Sequence, residues 1–104
     1  MNLGRAIQTV RKGKGLRQED LSRLSGLSQT YISQIEKNKK EPKISSLLKI
    51  SEVYEVPLPI LFFLALDESD MPSQKREMFH LMAEPVKSFI QEFFLQNTEP
   101  SSHD

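Results

Sequence analysis

A chain of 104 residues with no cysteine can bury one small core, and it cannot form disulfides, thiolate zinc sites or thiol redox sensors. Its formal charge is zero, but the signs are segregated: residues 1–50 hold 11 basic and 4 acidic side chains, and residues 51–104 hold 3 and 10. The length is expected to leave no room for a self-cleaving or ligand-binding domain. The N-terminus shows no apolar stretch of signal-peptide length, and the longest apolar run, Pro57 to Leu66, is about half of a bilayer span, so a cytoplasmic protein without a membrane partner is expected.

In chain order, Asn2 is a good cap and Leu3, Ile7 and Val10 form an apolar stripe, predicting a first helix from Asn2 to about Lys12, ended by Gly13 and Gly15. A second helix opens at Gln18 and stops at Gly26, which supplies the positive φ of a sharp turn. Ser28 caps a third, running to about Lys37. Leu21, Leu24, Leu27, Ile32 and Ile35 are expected to converge on one core. A lysine-rich loop from Asn38 to Lys43 follows, then a fourth helix, Ile44 to Tyr54, offering Leu47, Leu48, Ile50 and Val53 to the core. Pro57 and Pro59 fit only before or within a first turn, which places a fifth helix at Leu58 to Leu66. That helix is apolar almost all round, more than one face of a five-helix bundle can hide, so something else must cover it.

Beyond an acidic linker, Asp67 to Ser73, the residues Phe79, Met82, Val86, Phe89 and Phe93 recur at steps of three, four, three and four, a helical stripe that needs a partner. Pro85 within it predicts a kink, or two helices meeting near Glu84. The polar tail, Asn97 to Asp104, is expected to be disordered.

Chemistry concentrates in Gln18 to Lys37, a helix, a glycine turn and a second helix. The outward face of the second carries Gln29, Thr30, Ser33 and Gln34, all neutral hydrogen-bonding side chains small enough for a major groove, with glutamine matched to adenine N6 and N7. The basic half of the chain contains this segment, and its cations can displace counterions from phosphates. A solvated polar helix face is the bland alternative, disfavoured by the glycine turn and the preceding helix. Enzymatic chemistry finds no foothold. His80 and His103 lack metal-ligand or triad spacing, and the four glycines form no phosphate-cradling loop, so neither catalysis nor a cofactor or metal is expected.

The stretches LGRAIQTVRKGKGLRQEDLS, SGLSQTYISQIEK and SSLLKISEVYEV together resemble the lambda-repressor-like (XRE or Cro type) domain of phage repressors, restriction-modification controllers and bacterial regulators, over about sixty residues from Leu3 to Phe62. The resemblance implies an all-α, five-helix DNA-binding domain. It places Gln29, Thr30, Ser33 and Gln34 at base-reading positions and Arg17, Gln18, Lys37, Lys39, Lys40 and Lys43 at phosphates, with Gln18 bracing Gln29. Arg11 and Glu36 would form a structural ion pair. Three departures stand out. Ser22 replaces a common alanine, Arg17 a serine or threonine cap, which should weaken the start of the second helix, and Pro57 a serine. In some phage relatives acidic side chains on the second helix touch RNA polymerase, a role open to Glu19 and Asp20, although their place at a helix N-terminus is reason enough for them.

The expected organisation is a DNA-binding domain at 1–66, a linker at 67–73, a helical dimerisation extension at 74–96 and a tail at 97–104. The expected function is that of a sequence-specific regulator, a homodimeric repressor on a palindromic operator in double-stranded DNA, since one recognition helix reads only a few base pairs. Phe62, Phe63, Leu66, Phe79, Met82, Val86, Phe89, Ile90 and Phe93 are the candidate dimer interface. Two other readings remain open: C-terminal helices folded back as an intramolecular lid, and an antitoxin-like or antagonist chain whose aromatic surface binds another protein.

Overall fold

The computed structural model describes residues 1–95, which fold into helices with no strand among them; the expected tail, 97–104, lies outside the described residues. The first helix, α1 (Leu3–Gly13), starts where Asn2 Oδ1 accepts the Arg5 backbone N–H at 2.9 Å, and Gly15 turns the chain at φ 73°. Then come α2 (Gln18–Ser25), α3 (Gln29–Glu36), α4 (Ile44–Tyr54) and α5 (Leu58–Ala65). Two short 3₁₀ turns, Glu68–Asp70 and Ser73–Lys75, lead into α6 (Arg76–Ile90), which ends in a π-helical turn, Gln91–Leu95.

Helices α1 to α5 close around Ile7, Val10, Leu21, Ile32, Ile35, Leu47, Ile50, Tyr54, Val56 and Leu61, all essentially without solvent contact. Two expected core residues are not there. Leu24 and Leu48 are each about half exposed. On α2 the inward position is taken by Leu21, and on α4 by Ser46, Leu47, Ile50 and Tyr54, leaving Leu48 about 100° off the buried line. Tyr54, not anticipated as core, fills the centre. Its hydroxyl donates to the Ile7 carbonyl at 2.8 Å, and burial pushes its pKa up.

The segment after α5 is tied down. Asp67 accepts the Ser69 backbone N–H, and the Met1 ammonium donates to Asp70 Oδ1 at 2.6 Å, so the acidic linker is fastened to the start of α1. The Asn2 N–H also donates to the Ala65 carbonyl at 2.7 Å. The two helices expected to meet near Glu84 are one, since α6 runs through Pro85. Pro85 and Leu81, whose carbonyl loses its i+4 donor, are both exposed. A π-helical turn follows Ile90.

The C-terminal stripe splits. Phe79, Ala83, Ile90 and Leu95 are buried within the single chain, and Leu95 and Phe94 join the main core. Phe79 and Ile90 are therefore removed from the candidate dimer interface, because a side chain already 8 % or 6 % exposed has little left to offer a partner. Phe62, Phe63, Leu66 and Val86 are half-buried, whereas Met82, Phe89 and Phe93 stay exposed, at 47, 72 and 80 %. No described helix is long and apolar enough to cross a membrane.

Candidate nucleic-acid interface

The turn between α2 and α3 is built locally. Gly26 sits at φ 80°, its N–H closing α2 on the Ser22 carbonyl at 2.9 Å. Ser22 then uses the hydroxyl that an alanine would lack: Oγ donates to the Leu27 carbonyl at 2.6 Å and staples the turn. Ser28 accepts the Tyr31 N–H at 3.1 Å, so α3 begins one residue later, at Gln29.

At the start of α2, the Arg17 side chain accepts no backbone N–H, in keeping with a weak cap from that residue. Asp20 supplies the missing half. Its carboxylate accepts the Arg17 backbone N–H at 2.8 Å and the guanidinium Nε at 3.2 Å, and these bonds hold its pKa down to about 2. Arg23 lies 3.6 Å away on the other side. Asp20 is thus committed to its own helix, while Glu19 remains exposed, 3.7 Å from Arg17.

Gln18, Gln29, Thr30, Ser33, Gln34, Lys37 and Lys39 line one concavity of about 400 Å³ on the α2–α3 surface. All four candidate base-reading residues are brought together there, with Gln18 and two of the candidate phosphate lysines around them. Lys40 and Lys43 stand apart, both exposed. Lys40 Nζ lies 6.0 Å from the Tyr31 ring centre, and the Lys43 backbone N–H donates to the Tyr31 hydroxyl at 3.1 Å. That hydroxyl in turn donates to Ser46 Oγ at 3.1 Å. Tyr31 thereby fixes the lysine-bearing loop to α4.

Beneath the concavity, Arg11 and Glu36 form a buried two-pronged pair, Nε to Oε2 at 2.7 Å and Nη2 to Oε1 at 3.1 Å. Hydrogen bonding to Glu36 raises the Arg11 pKa, and Nη1 reaches the Leu16 carbonyl at 2.8 Å. Gln18 Nε2 donates to the same Glu36 carboxylate at 3.0 Å. In this protein alone, then, Gln18 is braced by Glu36 rather than by Gln29, and one carboxylate sets α1, α2 and α3 relative to each other. No buried side-chain polar atom among the described residues is left without a partner.

Two further residues position α3 without any signal in the motif. Asn38, at φ 58°, accepts the Gly4 N–H at 3.2 Å and donates to Asn2 Oδ1 at 2.8 Å. Gly4 allows this approach: a Cβ there would lie 2.4 Å from the Ile35 carbonyl oxygen and 2.7 Å from that of Glu36. Neither contact is visible locally, since the partners are more than thirty residues apart.

A short helix, a left-handed glycine turn and a capped second helix carrying a polar outward face define a helix-turn-helix protein. The profile of the helix-turn-helix family matches residues 7–61, and the chain belongs to this XRE-type family of DNA-binding transcriptional regulators. It is 39 % identical over 59 residues to the HTH-type transcriptional regulator PuuR of Escherichia coli K12, covering 57 % of this chain and 32 % of that protein. It is similar also to the ImmF control region 10 kDa protein of Bacillus phage phi105, at 34 % over 59 residues, 57 % of this chain and 66 % of the relative. A regulator of Sinorhizobium fredii, y4dJ, is 32 % identical over 54 residues, 52 % and 70 % of the two chains. The chain thus spans about a third of PuuR, and the likeness to each of the three relatives covers little more than half of this chain.

Proposed function

We propose that the chain reads a specific DNA sequence by inserting α3 into the major groove, and that it acts as a dimeric repressor. The observation that carries this reading is the concavity gathering Gln29, Thr30, Ser33 and Gln34 beside Lys37 and Lys39 on the basic half of the chain. Neutral amides and hydroxyls read base edges, flanking cations anchor phosphates, and the buried Arg11–Glu36 pair holds the reading helix still. A dimer bound at a promoter obstructs polymerase without added machinery, which favours repression.

The test is DNA binding to duplexes recovered by in vitro selection, measured across salt concentrations. With about five phosphates neutralised per subunit, the log–log slope is expected near −4 to −5 per subunit. Gln29→Ala and Gln34→Ala should each cost about 1–3 kcal/mol and relax discrimination locally, whereas Lys40→Ala should weaken all sequences alike. Binding that does not respond to salt, or no binding to any selected duplex, refutes the reading.

For the second subunit, the support is the exposed row Met82, Phe89 and Phe93, with Met78 beside it on α6. Aromatic side chains bury roughly 150–250 Å² each, so Phe89 and Phe93 alone would supply a large part of the about 800 Å² per partner of a standard interface. Sedimentation at micromolar concentration should show a dimer. Phe89→Glu with Phe93→Glu should give a monomer of unchanged helicity. A wild-type monomer would instead favour one of the two other readings, an intramolecular lid or a surface for a different protein.

A further inference from the structure

A second concave site lies away from the reading face. Three parts of the chain enclose a half-open cleft of about 540 Å³: one side of α1, the end of α5 with Leu66 and Asp67, and the last turns of α6. That volume is in the range that holds small organic ligands, roughly 300–1,000 Å³. The two walls are regular. Arg5, Thr9 and Gly13 recur every four residues along α1, and Lys87, Gln91 and Leu95 do the same opposite, the last two within the π-helical turn. Such turns widen a helix locally and recur at functional sites. Here the widening carries Leu95 against α1, its Cβ 3.9 Å from the position a Cβ on Gly13 would take.

The chemistry of the lining is asymmetric. Ala6, Val10 and Leu64 give it apolar surface, while Arg5 and Lys87 contribute cations from opposite walls. Neither cation forms an ion pair among the described residues, in contrast to Arg11, Arg17 and Arg23, each of which faces a carboxylate. The carboxylate on the lining, Asp67, is already engaged, 3.7 Å from the Met1 ammonium and hydrogen-bonded to the Ser69 backbone. Charge in the cleft therefore favours an anion, and its apolar surface favours a ligand with a hydrocarbon body.

We propose that this cleft binds a small amphipathic monocarboxylate, its carboxylate held between Arg5 and Lys87 and its apolar part on Val10 and Leu64. One wall belongs to the helix-turn-helix body and the other to α6, so occupancy ties the two together. The site does not depend on the reading of α3 as a DNA reader, because none of its residues lines that concavity.

Hexanoate, octanoate and 3-phenylpropionate titrated into the full chain, with backbone amide shifts followed by NMR, test this directly. Saturable shifts are expected at Thr9, Gly13, Leu66 and Gln91 for at least one of the three. Arg5→Gln and Lys87→Gln should each weaken that binding about fivefold or more, the loss of one charge-assisted hydrogen bond at a partly wet site, and octylamine should not compete. The proposal is overturned if none of the carboxylates saturates by about 10 mM, tenfold weaker than a millimolar ligand. It is overturned equally if octylamine binds as well as octanoate, if the double variant Arg5→Gln, Lys87→Gln binds unchanged, or if the shifts fall on Met82, Phe89 and Phe93 instead.

Discussion

Replacing Glu36 with alanine is expected to remove about 3–5 kcal/mol of stability, the penalty for stripping one partner from a buried ion pair. The Glu36 side chain is 1 % exposed and that of Arg11 is 9 % exposed. Without the carboxylate, the Arg11 guanidinium would keep the Leu16 carbonyl and lose the one compensating charge it has among the described residues, and Gln18 Nε2 would lose its acceptor. Against a total of about 5–15 kcal/mol for a domain of this size, and about 4–8 °C per kcal/mol, the melting temperature should fall by roughly 15 °C or more. Calorimetric melting checks this. The double variant Arg11→Met, Glu36→Leu should recover most of the loss, since an apolar pair of similar volume carries no desolvation penalty. A loss below about 1 kcal/mol in Glu36→Ala would mean that the pair behaves as a surface salt bridge.

The second large effect concerns a glycine. Gly→Ala within a helix ordinarily gains about 0.5–1 kcal/mol through backbone entropy. Gly4→Ala should instead lose about 3 kcal/mol, at or above the upper end of overpacking costs, because the atoms met are backbone carbonyls that cannot swing aside. The new Cβ would stand 2.4 Å from the Ile35 oxygen and 2.6 Å from Asn38 Oδ1, forcing α1 away from the end of α3 and stretching the Gly4–Asn38 hydrogen bond. Gly13→Ala, in the same helix with nothing closer than 3.9 Å, is the control and should be neutral or slightly stabilising. Urea unfolding of the two variants decides the matter: equal midpoints would mean that the α1–α3 contact is loose. Since Gly4 packs on the end of α3, the variant that folds should also bind DNA more weakly, if α3 is the reading helix.

Much of the fold was legible because its signals are local. Ser28 as a cap, Gly26 as a left-handed turn and the bounds Ile44–Tyr54 of α4 follow from residue types a few positions apart. The placement of Gln29, Thr30, Ser33 and Gln34 on one face follows from helical periodicity and needs no knowledge of the rest of the chain. Where a local rule has a local substitute, the reading from sequence was incomplete: Arg17 makes a poor cap, but Asp20 three residues later supplies the reciprocal bond.

What periodicity cannot rank is competition among apolar residues for limited interior space. Leu24 and Leu48 carry the same chemistry as Leu21 and Leu47, and only the packing of α2, α3 and α4 decides which two are buried. The C-terminal stripe illustrates this most clearly. Five apolar residues at helical spacing announce a helix seeking a partner, and the helix divides them, turning Phe79 inward, half-burying Val86 and leaving Met82, Phe89 and Phe93 in solvent, while Ile90, outside that stripe, is buried.

By itself, then, the sequence determined the helical build of the described residues, the turn at Gly26, the polar outward face of α3 and the separation of basic from acidic halves, all properties of neighbouring residues. Tertiary structure alone decided that Glu36 would brace three helices, that Gly4 and Asn38 would meet, that Tyr54 would fill the centre and that a cleft would open between α1 and α6. Each of these joins residues that are distant along the chain, and such contacts exist only after the helices have packed.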